Sequence, residues 1–240
     1  MSERPGARRS GSTESISELT TERLSVYLRC LTWLESQGVR TVSSHQLARR
    51  YHLNSAQIRK DLANLGELGI RGVGYQVEVL KKHLVETLGL EQTRNIIIIG
   101  AGNLGTALAD YRGFHQPGFS IVAMLDKDPE RIGSRSRSGV PVISIERLEE
   151  VIQSQNVEIA IIAVPAESAL EIYERVLDAG IRGVLNFAPA QLGRREGVKL
   201  RNVDLRINLE ALSFFLKNEG DQGPGARGQE KAKPTSEPEI

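Results

Sequence analysis

Residues 96–111 read IIIIGAGNLGTALADY. Four isoleucines run into a G-x-G-x-x-G, and a helical pattern of small residues leaves it. A lone glycine fingerprint is weak, but this one has a strand before it and a helix after it, the context that gives it physical meaning. Gly100 permits the tight turn, Gly102 lets backbone approach a pyrophosphate, and Gly105 lets the helix sit close on the strand. Ala101, Asn103 and Leu104 complete the loop and the helix start, where N–H groups meet the pyrophosphate. The next strand, FSIVAMLD, ends in Asp126 with Lys127 beside it. A carboxylate there accepts hydrogen bonds from ribose hydroxyls and repels a 2′-phosphate, which favours NAD(H) over NADP(H). Arg135 and Arg137 in SRSRSG (134–139) are a counter-signal, read here as a solvated loop. The alternative reading of this part is a Rossmann-like domain for CoA or another nucleotide.

Working outward, strands are expected at 95–99, 119–125, 158–163, 183–187 and 203–207, with helices at 102–112, 145–153 and 166–179 between them. That alternation predicts a parallel, doubly wound sheet. The strand exits "AVPAES" and "LNFAPAQ" place Val164, Pro165, Asn186, Phe187 and Pro189 as walls for the nicotinamide half. Hydride transfer to a carbonyl needs an acid that protonates the alkoxide, usually His, Tyr–Lys or a metal. His45, His52 and His83 precede the sheet, His115 has no carboxylate near it in sequence, and no Tyr-x-x-x-Lys occurs. The α/β part reads as built to hold a dinucleotide rather than to use it. A small NAD-dependent oxidoreductase is the alternative.

About ninety residues precede this fingerprint, and they carry another pattern. Leu24, Tyr27, Leu28, Leu31 and Leu34 recur at helical spacing between Ile16 and Gln37. SSHQLARRYHL gives a short helix capped by Ser43 or Ser44, and AQIRKDLANLG a second capped by Asn54 or Ser55. GIRGVGYQVEVL, with glycines 69, 72 and 74, fits a tight hairpin. Helix, short helix, helix, hairpin is the order of a winged helix-turn-helix. With Ile58 inward, Lys60 points directly away, flanked by Ala56, Gln57, Arg59, Ala63 and Asn64. That face offers cations and amides to base edges and phosphates, with Ser55 at the helix start that enters the major groove. Arg49 and Arg50 suit phosphates, and Arg71 and Tyr75 sit near the tip of the wing.

Bulk properties agree. The 240 residues are 40% apolar and 25% charged with a net charge of +1. Residues 1–90 hold 13 Lys+Arg against 9 Asp+Glu, a local excess that hints at a polyanionic partner. No apolar run approaches the ~20 residues of a membrane span. The N-terminus lacks the apolar core of a secretory signal, and the one cysteine, Cys30, excludes an internal disulfide and a cysteine-built metal site. A cytoplasmic setting is expected. Residues 1–16 and 220–240 read as disordered, 17–79 as the winged helix, 80–94 as a linking helix, 95–207 as the dinucleotide domain and 208–219 as an amphipathic final helix.

The motifs RLSVYLRCL, SSHQLA, IRKDLANLGELGIRGVGYQVEVLKK, GAGNLGTALADYRGF, VPAESA, GVLNFAP and NVDLRINLEALSF together resemble the Rex family of redox-sensing transcriptional repressors, from about Leu24 to Leu216. The resemblance implies a homodimer that binds a palindromic operator and releases it when NADH binds, with NADH and NAD+ as effectors rather than redox cofactors. It implies that the final helix swaps across to pack near the partner's nucleotide cleft. It also implies an interdomain polar network on Arg29, Tyr111 and Asp204, and a nicotinamide contact at the start of the swapped segment, where some members carry Phe and this chain departs with Leu205, so an aromatic contact is not implied.

Overall fold

The computed structural model describes residues 17–66, 68–70 and 72–220. The expectations for 1–16, Arg71 and 221–240 lie outside them. The described residues divide into two compact units, one of 17–94 with 115–120, the other of 95–114 with 121–220.

In the first unit, α1 (Glu18–Ser36) is capped by Ser17, whose hydroxyl accepts from the Thr20 N–H. β1 (Thr41–Val42) follows, a two-residue strand that sequence periodicity cannot reveal. α2 (Ser44–Tyr51) opens with a capping box between Ser43 and Gln46 and closes on His52 in the left-handed region, φ 52°. α3 (Ser55–Ala63) is capped by Asn54, which accepts from the N–H groups of Ala56 and Gln57. β2 (Gly69–Ile70) and β3 (Gly74–Gln76) form the expected hairpin, and the sheet order is β1-β3-β2, antiparallel throughout. Gly74 has φ +106°, and a Cβ there would strike the Val42 carbonyl, so only glycine lets β1 and β3 approach.

α4 (Val77–Thr87) begins directly after the hairpin. The linking helix expected over 80–94 therefore starts three residues earlier and is not a mere connector. Val77, Leu80 and Leu84 are buried in one core with Leu24, Tyr27, Leu31, Leu47, Ile58 and Leu62. Cys30 belongs to that core, and burial pushes its thiol up to about 11.

Among the described residues of this unit, one charged group is buried. Asp61 is 1% exposed and accepts from Arg23 through both its oxygens (2.6 and 2.8 Å), from the Tyr27 hydroxyl (2.9 Å) and from the Gln57 amide (2.8 Å). Burial raises its pKa, but the bonds from Arg23, Gln57 and Tyr27 outweigh that and hold it below the ordinary carboxylate value. The stabilisation is complete above the unfolded-chain value of about 3.9 and is lost as pH falls through the lower folded-state value. Thermal unfolding of the wild type should therefore weaken steeply below about pH 4, and Asp61→Asn should flatten that limb. Parallel curves for the two proteins would show that Asp61 carries no such linkage.

The second unit is a six-stranded parallel sheet. Its strands are β4 (Arg94–Ile99), β5 (Phe119–Asp126), β6 (Val142–Ser144), β7 (Val157–Ile162), β8 (Gly183–Asn186) and β9 (Lys199–Asn202). Between them lie α5 (Asn103–Ala109), α6 (Leu148–Ser154) and α7 (Ala166–Asp178), and 3₁₀ turns at Arg112–His115 and Ile145–Arg147. The order β6-β5-β4-β7-β8-β9 is the doubly wound 3-2-1-4-5-6 arrangement, with its switch point between β4 and β7. Ile97, Ile99, Ala160, Ile162 and Val184 fill the core beneath the helices. The strand expected at 203–207 is corrected. Val203 still donates to the Asn186 carbonyl, but Asp204 Oδ1 accepts from the N–H groups of Arg206 and Ile207 and turns the chain into α8 (Leu205–Gly220). A helix cap overrides the V-D-L-R-I alternation.

Candidate nucleotide cleft and nucleic-acid interface

At the switch point the three glycines do separate work. Gly100 has φ +99°, and a Cβ on it would collide with the Ala163 carbonyl at the end of β7. A Cβ on Gly105 would collide with the Gly100 carbonyl. Gly102 differs: the nearest atom to a Cβ there is an Arg131 guanidinium nitrogen 3.9 Å away. Two glycines thus close the backbone and the third opens it. The open side is a cleft of about 410 Å³ lined by Ala101, Gly102, Asn103, Thr106, Asp110, Arg131 and Arg137.

Asp126, at the end of β5, is buried and already engaged. Its Oδ2 accepts from Ala101 N (2.6 Å) and Arg131 (3.1 Å), and its Oδ1 from Asp128 N (2.9 Å). Burial pushes its pKa up, but these donors outweigh it and hold it below the ordinary value. The carboxylate therefore organises the Gly100–Gly102 turn, and ribose hydroxyls would have to share it. Arg131, which sequence reading missed, also pairs with Asp128 at 3.3 Å. The solvated-loop reading of 134–139 holds for Arg135, which bonds the Gly139 carbonyl. Arg137 is exposed as well and lines the cleft, where Asp110 accepts from Ser138 N at 2.8 Å and docks the loop onto the end of α5. That backbone bond is the main cause of Asp110's lowered pKa.

The other wall residues divide. Val164 packs beside Gly100, Pro165 caps α7, and Phe187 is half-buried. Lys127 and Leu104 are exposed. Asn186 is not a wall residue. It is 1% exposed, its amide donates to the carbonyls of Ala188 and Ala190 and to Asn202, and its oxygen accepts from Ala188 N. Both its amide hydrogens go into tying β8 to β9 and folding the loop after it.

In the first unit, α3, the start of α2 and the wing line one concave surface of about 1030 Å³ that includes His45, Arg59, Gly69, Val73 and Tyr75. Arg49, Lys60 and Asn64 are exposed, Ser55 half-buried, and Arg59 reaches Ser44 at 3.1 Å. Tyr75 lies against Gly69, where a Cβ would meet its ring at 2.8 Å. Two residues expected at the nucleic-acid face are also engaged within the protein. The Arg50 guanidinium stacks over the Trp33 indole, 3.6 Å from its centroid, and the Gln57 amide is bonded to Asp61. Of the expected polar network, Arg29 is exposed, Tyr111 is 56% exposed with its ring edge on Phe114, and Asp204 caps α8.

Among the described residues no helix is long and apolar enough to cross a membrane. No cluster of three or more His, Cys, Asp or Glu that could hold a metal occurs among them.

Family models agree with both halves: "Putative DNA-binding protein N-terminus" matches residues 15–63 and "CoA binding domain" residues 91–190. Redox-sensing transcriptional repressor Rex of Carboxydothermus hydrogenoformans is 48% identical over 204 residues, 85% of this chain and 98% of its own length. The chain belongs to the Rex family. Rex of Streptomyces coelicolor is 44% identical over 225 residues, 94% of this chain and 85% of its own. A crystal structure of RSP, a Rex-family repressor, in complex with β-NAD+ and operator DNA matches with TM-score 0.80 and 37% identity, covering 85% of this chain and 94% of that one. RSP with β-NADH matches with TM-score 0.75 and 36% identity, covering 86% and 96%. Rex membership sets this chain among transcriptional repressors rather than enzymes.

Proposed function

We propose that this chain is a cytoplasmic repressor that senses the NADH/NAD+ balance, binding a palindromic operator as a homodimer through α3 and the wing. The carrying observation is the open position at Gly102 on the switch point of a 3-2-1-4-5-6 sheet, in one chain with a winged helix. Gly100–Gly105 and the Arg131–Arg137 side receive the pyrophosphate. Val164, Pro165 and Phe187 wall the nicotinamide, and Asp126 meets the adenosine ribose. Arg49, Arg59, Lys60 and Asn64 contact DNA, with Arg71 and Tyr75 on the wing and Ser55 at the helix start.

NADH and NAD+ differ in the charge and planarity of one ring. A ligand shifts a two-state equilibrium only through differential affinity, and a swing from 1:99 to 99:1 needs about 5.5 kcal/mol. Two sites in a dimer share that requirement. A closed, apolar cleft favours the neutral dihydronicotinamide and moves the two recognition helices away from the half-site separation of about 34–36 Å.

The dimer reading is supported by α8. Leu205, Leu209, Leu212 and Leu216 form one stripe, Ile207 and Phe214 a second on the opposite side, and all are more than half exposed. A helix apolar on opposite faces is a buried helix, which fits exchange into a partner's structure. A chain ended after Asp204 should sediment as a monomer and lose operator affinity at least about a hundredfold. A truncated chain that still sediments as a dimer would remove α8 from the interface.

The deciding experiment selects operator sequences from random duplex DNA and titrates the best site with NADH, NAD+, NADPH and CoA at one salt concentration. Release by NADH alone supports the proposal, and equal effects of NADH and NAD+ refute it. Release by CoA or NADPH would favour the second reading, for which the CoA-binding family match and Arg137 beside the cleft speak.

A further inference from the structure

The geometry points to Gln57 as a purine-discriminating residue that Asp61 holds in one amide orientation, so that it accepts adenine and rejects guanine. The inference rests on the DNA-binding reading above and adds the base that one side chain recognises. Gln57 is the third residue of α3, in the half of a recognition helix that enters the major groove. It lies at the flank of the helix, half-buried, with Nε2 donating to Asp61 Oδ1 at 2.8 Å.

A free glutamine amide reads either purine. It presents oxygen to adenine N6 and N–H to N7, or turns over and offers its N–H groups to guanine O6 and N7. Here the turn is blocked. An ionised carboxylate only accepts, so a flipped amide would set Oε1 against Asp61 oxygen. Asp61 cannot move aside, because it is buried and its oxygens also hold Arg23 and Tyr27. The groups left to the groove are Oε1 and the second N–H, an acceptor beside a donor. That pair complements the donor and acceptor on the adenine edge and sets oxygen against guanine O6. Asp61 is a positioning residue, and Gln57 is the one that touches the base.

The test is operator selection from random duplex DNA with the full chain, comparing wild type, Gln57→Ala and Asp61→Asn. Wild type should require adenine at one symmetry-related pair of positions, where guanine costs about tenfold in affinity. Gln57→Ala should erase the preference at that pair alone. Asp61→Asn, whose amide can donate to a flipped Oε1, should admit guanine there. Gln57→Ala sits at a half-exposed site, so it keeps the test decisive if Asp61→Asn unfolds. The proposal is overturned if Gln57→Ala leaves every base preference intact, or lowers affinity equally for all sequences. It is also overturned if folded Asp61→Asn still excludes guanine. Failure of the wild type to select any sequence would overturn the DNA-binding reading itself, a separate and visible result.

Discussion

Gly102→Ala should bind operator DNA like the wild type and fail to release it with NADH, while Gly105→Ala should lose the ligand together with the fold of the cleft. The two variants add the same methyl group to the same turn. At Gly105 that methyl meets the Gly100 carbonyl, a backbone atom that cannot rotate away, and lies 3.5 Å from Ile98 Cγ2. Overpacking typically costs about 1–3 kcal/mol, and backbone overlap belongs at or above the top of that range. At Gly102 the methyl enters open space 3.9 Å from Arg131, and the residue has φ −71° and ψ −170°, which alanine adopts freely. The fold should be untouched, and only a pyrophosphate would notice. A hundredfold loss of NADH affinity, about 2.7 kcal/mol, is expected for Gly102→Ala, with its melting temperature unchanged. NADH fluorescence titration with a parallel melting curve decides it. Wild-type affinity in Gly102→Ala would move the pyrophosphate elsewhere.

The second large effect is expected at Asp61. Asp61→Ala removes one side of a buried ion pair, which usually costs about 3–5 kcal/mol. Arg23 is 31% exposed and can recover water, so the lower end applies to the pair. The Tyr27 hydroxyl is buried and loses its acceptor, a further 1–3 kcal/mol in order of magnitude. The first unit should melt at least about 15 °C lower, and adding Tyr27→Phe should restore about 1 kcal/mol. Denaturant unfolding of the single and double variants measures both numbers. A loss below about 1 kcal/mol for Asp61→Ala would mean that the network does not hold α3 on α1.

These variants also mark where sequence reading succeeds and where it stops. The strand–glycine–helix passage was legible because each glycine answers a local steric demand, and the recognition helix because Ile58, Leu62 and their neighbours repeat at helical spacing. The short strands β1 and β6 left no such trace, since two or three residues cannot display a period. The V-D-L-R-I alternation before α8 mimicked a strand until the Asp204 cap decided otherwise. Asp126 and Asn186 were found by their places at strand ends and Gln57 by its place on a helix face. What Asp126 and Asn186 bond to was beyond reach, because those partners lie 25 and 16 residues away, whereas Gln57 and Asp61 sit at the i, i+4 spacing of one helix face. Arg131 left no trace in the sequence, because its pairing with Asp126 and Asp128 depends on how the chain turns after β5.

The stacking of Arg50 on Trp33 gives the molecule an optical property. Trp33 is the chain's single tryptophan, it lies in the first unit, and it is 39% exposed with a guanidinium on its face. Its emission therefore belongs to the winged-helix unit alone. A change in its anisotropy or wavelength when NAD+ enters the other unit would be light reporting on an event outside its own unit, and its growth with ligand would measure transmission between units without any attached dye.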